Sequence, residues 1–454
     1  MKLHELMIPE LRRNPASATG LVRALFLLVI STVPSDANLL LSRSDAEFSQ
    51  FTFESHGRVV GKGNDPQLGV RASGELFLLS VKERTLWLQT SADGGDSFDE
   101  GIRVSDGGKI ASNSENTPLM VVRSMHEFYA VWTADDGHDH SSLQFARSMD
   151  WGKSFGKSIP VDSSGNASQS FFTLAVAPDG TVFVAWLDGR DRGQGKQGSS
   201  ALYLARSVNL GQSFEASVRV ALNVCPCCRP SIAFGENKTM HIGWRGVIDH
   251  DIRDIFIATS TDGGATFGAQ TCVAEDNWQI NGCPHSGPAL ATLGGRLFVA
   301  WHTVSGKRSR IYIAWSIDNG AHFSSKVEGG MNLLDPNHPR LVHLDDTLGL
   351  VFQARGAPAR EAWVKQDVYF RQIDRVGALS PVQRLGHAIG SAKYPTLLFE
   401  RPDRIFVAWT EGADEGQKLV LARGRLSAPK QVNSPRRATG GNGSPTAVEK
   451  TNDD

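Results

Sequence analysis

Largely apolar runs of four or five residues recur along the chain, and most end in Trp. They read Phe128-Tyr-Ala-Val-Trp132, Val182-Phe-Val-Ala-Trp186, His241-Ile-Gly-Trp244, Leu297-Phe-Val-Ala-Trp301 and Ile405-Phe-Val-Ala-Trp409. Short runs rich in β-branched and aromatic residues predict strands. Each follows an opening strand, most often introduced by Pro: Pro66-Gln-Leu68, Pro118-Leu-Met120, Phe172-Thr-Leu174, Pro230-Ser-Ile232, Pro288-Ala-Leu290, Pro339-Arg-Leu341 and Pro395-Thr-Leu397. Third strands such as Leu86-Trp-Leu88 and Ile311-Tyr-Ile313 come next, then fourth strands such as Ser217-Val-Arg-Val-Ala221. Four strands per period is the blade of a β-propeller. Seven openings predict seven blades.

Between the third and fourth strands lies a repeated turn. It reads Ser91-Ala-Asp93-Gly-Gly95-Asp-Ser97-Phe98, then Ser148-Met-Asp150-Trp-Gly152-Lys-Ser154-Phe155, Ser207-Val-Asn209-Leu-Gly211-Gln-Ser213-Phe214, Ser260-Thr-Asp262-Gly-Gly264-Ala-Thr266-Phe267 and Ser316-Ile-Asp318-Asn-Gly320-Ala-His322-Phe323. Asp or Asn closes such a turn by accepting backbone N–H groups further along. Gly supplies a positive φ, and the Phe packs inward. The carboxylates of these boxes are therefore folding devices rather than catalytic groups.

The boxes resemble the Asp-box repeats of the sialidase (neuraminidase) superfamily. The resemblance covers nearly the whole of 38–433 and implies an all-β propeller, for which the sialidase count is six blades. It also implies a binding face opposite the boxes, where the fourth-to-first and second-to-third loops gather. Sialidases clamp a substrate carboxylate with three arginines, whose planar forks suit that group. They attack with a Tyr paired to a Glu and use an Asp as acid/base. Carried onto this chain, Arg229, Arg245, Arg340 and Arg355 are candidates for the clamp. Tyr394 with Glu411 is the candidate nucleophile pair, and Asp188 the candidate acid/base. One departure stands out. Sialidases open their first blade with an Arg-Ile-Pro type motif, and this chain has Asn64-Asp65-Pro66. The resemblance thus implies binding of a glycan or another small anionic ligand, and leaves sialidase-type hydrolysis open.

Composition changes the picture in three places. The net charge of −1 over 454 residues gives no basic surface for nucleic acid or an anionic membrane. The amino terminus carries Lys2, Arg12, Arg13 and Arg23, the apolar run 24–33 and small residues at Ser35 and Ala37. That pattern predicts a signal peptide over 1–37 and a secreted or periplasmic protein with no membrane span after cleavage. Residues 434–454 are Pro, Gly, Ser, Thr and charge, a composition that predicts a disordered tail.

The third place is cysteine. All five lie centrally, in Cys225-Pro-Cys227-Cys228-Arg229-Pro230, at Cys272, and in Cys283-Pro-His285. The repeat puts the first and last groups in neighbouring fourth-to-first loops, so they should meet. Two readings are open. Disulfides would staple the loops in an oxidising compartment. Alternatively, Cys225, Cys227, Cys228, Cys283 and His285 would hold Cu or Zn, since thiolate and imidazole suit both ions. Two further functions follow: a metal- or redox-associated propeller, or a scaffold that docks a protein partner.

Overall fold

The computed structural model describes residues 57–426 with 48 and 51–54, apart from 107–108, 114, 125, 136–140, 164–166, 345, 357–364, 387–389, 402 and 414–415. The signal peptide expected over 1–37 and the tail expected over 434–454 lie outside the described residues. What is described forms seven antiparallel sheets, one per repeat. Blade three shows the plan: Gln169–Val176, Val182–Asp188, Ser200–Ser207 and Val218–Val224 pair in sequence order. First strands of successive blades touch one another, and Ser391–Arg401 of the last meets Asn64–Val70 of the first. The ring is therefore closed, with seven blades rather than six.

Closure is also reinforced by strand pairing between distant parts of the chain. Phe51–Phe53 and Arg58–Lys62 pair with Gly416–Leu426, aligning Phe51 with Leu426 and Arg58 with Leu421. These two segments thus supply the outer strands of the seventh blade before the chain enters the first, covering the outer edge of Gly416–Leu426.

The apolar second strands are explained by this stacking. A blade has neighbours on both faces, so its inner strands are buried on both sides and need not alternate. Val182–Asp188 is buried at every position. Seven hydrophobic clusters result, one at each blade–blade junction. Trp132, Trp186, Trp244, Trp301 and Trp409 are the largest buried side chains within them.

The boxes form as expected. In the first, Ser97 donates its N–H and its hydroxyl to Asp93, while Gly95 N–H donates to Ser91 Oγ. In the third, Asn209 Oδ1 accepts from Ser213 N–H at 3.1 Å. Each box glycine sits in the left-handed region, for example Gly264 at φ +80°. Each box Phe packs into the junction with the preceding blade, as Phe214 does edge-on to Phe145. Apart from two short 3-10 turns, Asp249–Asp251 and Ser305–Lys307, the described residues hold no helix, and none long and apolar enough to cross a membrane.

Candidate functional site

The residue just before each opening tripeptide defines the face opposite the boxes: Asp65, Thr117, Phe171, Arg229, Gly287, His338 and Tyr394. Four of these have positive φ: Asp65 at 56°, Phe171 at 48°, His338 and Tyr394 at 52°. Three of the four precede Pro. Left-handed backbone is unfavourable for non-glycine residues and doubly so before proline. At all four the strand pairing slips: between Asn64 and Gln67, Ser170 and Thr173, Asn337 and Arg340, Lys393 and Thr396. These are β-bulges, which re-aim the residues they contain.

The strain is held in place by a repeated hydrogen bond from the preceding blade. Asp65 N–H donates to Thr410 Oγ1, Phe171 N–H to Asn116 Oδ1, His338 N–H to Ser286 Oγ and Tyr394 N–H to Gln353 Oε1. Two openings break the rule. Arg229 N–H and Gly287 N–H both donate to Glu115 Oε2, at 3.1 and 2.8 Å. Glu115 belongs to the loop opening blade two and reaches blades four and five. It is 2% exposed.

Arg229 is the centre of this arrangement. It is buried, and its Nη2 donates to Thr117 O at 2.7 Å and Thr117 Oγ1 at 2.8 Å. Its Nε and Nη1 have no partner. Burial pushes its pKa down to about 9, and the neighbouring Arg340 adds to this, while Glu115, Asp65 and Tyr394 act the other way. Arg340 and Tyr394 are themselves half-exposed. His338 lies edge-on to the Tyr394 ring at 4.9 Å, and its Nε2 is unpartnered. Burial lowers the His338 pKa and raises that of Asp65, whose carboxylate accepts from Ser112 and Asn64. Arg229, Arg340 and Tyr394 are thus brought together, with Asp65, Glu115 and His338 beside them.

The other expected residues serve different ends. Arg245 cannot clamp a ligand, because its guanidinium is used on backbone carbonyls: Arg253 O at 2.9 Å, Ser286 O at 2.9 Å and His302 O at 2.6 Å. Arg355 pairs with Asp335 at 3.3 Å on a half-exposed rim. Asp188, expected as acid/base, is fully buried and accepts from Trp186 Nε1, Arg190 N–H and Arg190 Nη2, all at 2.7–2.8 Å. A carboxylate locked this way, on blade three, braces a loop rather than shuttling protons. Glu411 lies two residues from Tyr394 across the sheet, in register with Ala392, and accepts Gly390 N–H at 2.8 Å.

The cysteine loops meet. Cys225, Cys227 and Cys228 are buried, with their sulfurs within 4.8 Å of one another and the first two 3.7 Å apart. Cys227, exposed Cys283 and half-buried His285 also place their ligand atoms within 4.8 Å. All five cysteines are free thiols here. Hydrogen bonds from Cys227 and Cys228 draw Cys225 toward the thiolate, helped by Arg245 and Arg253. Burial holds Cys228 protonated. Cys272 stands apart, donating to Ala274 O at 3.4 Å.

A concavity of about 810 Å³ lies elsewhere, on the box side of blades three and four, lined by Pro178, Arg206, Asn237 and Asp262 among others. It holds none of the clustered polar groups described above.

No protein-family model and no curated protein matches the chain. Solved structures do. A polysaccharide lyase of family PL25, an ulvan lyase, superposes with TM-score 0.52 at 12% identity over 82% of this chain and 95% of that one. A protein of unknown function from Dyadobacter fermentans gives 0.50 at 15%, over 83% and 99%. The Hadza microbial sialidase Hz136 gives 0.48 at 14%, over 75% and 74%. At these identities the likeness is one of fold, and the propeller expected from the boxes stands.

Proposed function

We propose that the protein is an exported propeller that binds a carboxylate-bearing glycan at the centre of its loop face, with Arg229 and Arg340 receiving the carboxylate. The observation that carries this reading is the Arg229 guanidinium, buried with Nε and Nη1 unpartnered beside a second arginine. A buried polar group without a partner is costly. One oxyanion would partner the two free Arg229 N–H groups and the adjacent Arg340 together. Half-exposed Tyr394 offers an aromatic ring at the rim, suited to stacking on a sugar. Export rests on the basic and apolar pattern of residues 1–37, and an exported protein meets such polymers. The neighbours suggest which acids to try first: one ulvan lyase structure holds a glucuronate–rhamnose sulfate unit, and others are sialidases.

Binding, rather than sialidase-type hydrolysis, is the reading favoured. Asp188, the acid/base that the resemblance implied, is locked by Trp186 and Arg190. The test is calorimetric titration with glucuronate oligosaccharides and sialyllactose. Arg340→Ala should weaken the preferred ligand at least tenfold, on the scale of one charge-assisted pair, while Arg355→Ala should leave it unchanged. Equal loss in both variants, or no binding of any acidic glycan by the wild type, would refute the reading. Turnover of an aryl sialoside by the wild type, abolished in Tyr394→Phe, would replace it with hydrolysis.

A further inference from the structure

We propose that the two cysteine loops form a site for one soft d10 cation, Cu(I) in first place, with Cys227 as the common ligand, Cys283 and His285 on its exposed side and Cys225 and Cys228 on its buried side, no more than four of the five binding at once. Nothing in the glycan reading requires this site, and neither proposal depends on the other.

Distance is the first support. Two thiolates bound to one tetrahedral ion at about 2.3 Å stand about 3.8 Å apart, and a disulfide brings its sulfurs to about 2.05 Å. Cys225 and Cys227 stand at 3.7 Å. Cys227 belongs to both groups of converging ligand atoms, so one ion placed near it reaches sulfurs from two loops and an imidazole nitrogen.

The loops are also held together independently of any ion. Glu115 Oε2 takes the N–H of Arg229, next to Cys228, and that of Gly287, two residues past His285. Arg245 makes a second clamp. Its carbonyl accepts Cys225 N–H at 2.8 Å, and its guanidinium grips Ser286 O at 2.9 Å. One carboxylate and one arginine therefore fix both cysteine loops in register. A site preorganised in this way loses little conformational freedom when it binds. His285 is held at φ +50° within it, a strained backbone of the kind found at functional positions.

Charge is the third support. Thiolates on a monovalent ion leave net negative charge in a buried place, which needs a counter-charge. Arg253 is 6% exposed, its Nε and Nη1 have no partner, and its carbonyl accepts Nη1 of Arg245, whose own carbonyl takes Cys225 N–H. These unpartnered N–H groups suit sulfur acceptors that carry charge. Access is provided from one side: Cys283 is exposed and His285 half-buried, while Cys225 and Cys228 are covered.

The donor set selects the ion. Sulfur with one imidazole excludes Mg²⁺ and Ca²⁺, which take oxygen, and leaves Cu(I) and Zn²⁺. Cu(I) accepts two or three sulfurs without further ligands, and each converging group here contributes three atoms.

The test uses the full chain, reduced and anaerobic, titrated with Cu(I) against a competing chelator and in parallel with Zn²⁺. Wild-type protein should bind about one Cu(I), with sulfur scattering dominant in its X-ray absorption spectrum. Cys227→Ser and Cys283→Ser should each weaken binding at least tenfold. Cys272→Ser and Arg340→Ala should bind as wild type does, so failure here leaves the glycan reading untouched. Cys283 is exposed, so its variant tests the site even if Cys227→Ser fails to fold. Wild-type affinity no better than that of Cys283→Ser would overturn the site. So would four thiols that stay disulfide-bonded in the exported protein and take up no ion after reduction. Uptake of Zn²⁺ with Cu(I) left on the chelator would overturn the assignment to Cu(I).

Discussion

Glu115 accepts the backbone N–H of Arg229 at 3.1 Å across 114 residues of chain, and so ties the second blade to the fourth at the middle of the ring. The same oxygen takes Gly287 N–H at 2.8 Å. The four bulged openings are each held by the immediately preceding blade, whereas Glu115, together with Arg229 Nη2 on Thr117, joins blades two and four across the ring. Glu115→Ala should leave two buried N–H groups unsatisfied and cost at least about 2 kcal/mol, read by denaturant unfolding. Glu115→Gln keeps an acceptor oxygen and should cost less than half as much. Equal losses would mean that the charge, rather than the acceptor, is what matters.

Gly287 is required by close approach. A Cβ there would stand 1.9 Å from the Arg229 carbonyl oxygen, a backbone atom that cannot turn aside. Gly287→Ala should therefore destabilise by about 3 kcal/mol or more, as overpacked sites against backbone do. Gly412→Ala, where an added Cβ meets nothing within 4 Å, should be near neutral. A soluble Gly287→Ala protein with an unchanged melting point would contradict the arrangement of these loops.

The boxes should affect stability without affecting binding. Asp150 accepts Ser154 N–H at 3.0 Å, and hydrogen bonds hold its pKa down to about 2 against the opposing effect of burial. Asp150→Ala should cost about 1 kcal/mol. Asp150→Asn should cost less, because Asn209 already closes the third box through its side-chain oxygen. Ligand affinity per folded molecule should not change in either variant. Abolished binding with unchanged melting would place function on the wrong face.

Two buried histidines make the fold acid-sensitive. Burial lowers His241 to about 4 and His302 well below its ordinary value of 6.5. Between pH 6.5 and about 4 the unfolded chain binds more protons than the folded one, so stability is complete above 6.5 and falls as pH drops through that window. For His241 alone the loss is about 3 kcal/mol at most. His241→Gln should make the stability curve shallower between those pH values, as measured by urea unfolding at several pH points. A slope as steep as wild type would show that His241 is not buried neutral.

Much of the architecture was legible in the chain. Pro-opened strands, Trp-ended second strands and boxes each mark the same point of a repeat, so seven blades and the opposition of the two faces follow from counting. Residues 51–60 resemble a fourth strand in sequence, and the two strands Phe51–Phe53 and Arg58–Lys62 both pair with Gly416–Leu426 of the last blade. The candidate site was legible only in part. Arg229, Arg340 and Tyr394 could be placed because each stands next to or just inside an opening Pro. Arg245 and Asp188 end second strands on the same face, but their partners are backbone carbonyls in one case and Trp186 and Arg190 in the other, which no residue type announces in sequence. Glu115 and Asp65 were missed for a related reason. A buried acid differs from a solvated one only through long-range contacts, here with Arg229, Gly287 and Ser112. Asn64-Asp65-Pro66 did carry a signal, as an acid where the sialidase pattern has Arg.

The central claim is that a carboxylate belongs between Arg229 and Arg340. It is tested most directly by the crystal structure of the full protein with the acidic oligosaccharide that calorimetry selects. The account predicts a sugar carboxylate hydrogen-bonded to the free Nε and Nη1 of Arg229 and to Arg340, with a sugar ring against Tyr394. Sugar density in the concavity beside Asp262 and Arg206 on the box side, with the Arg229 nitrogens still unpartnered, would contradict it.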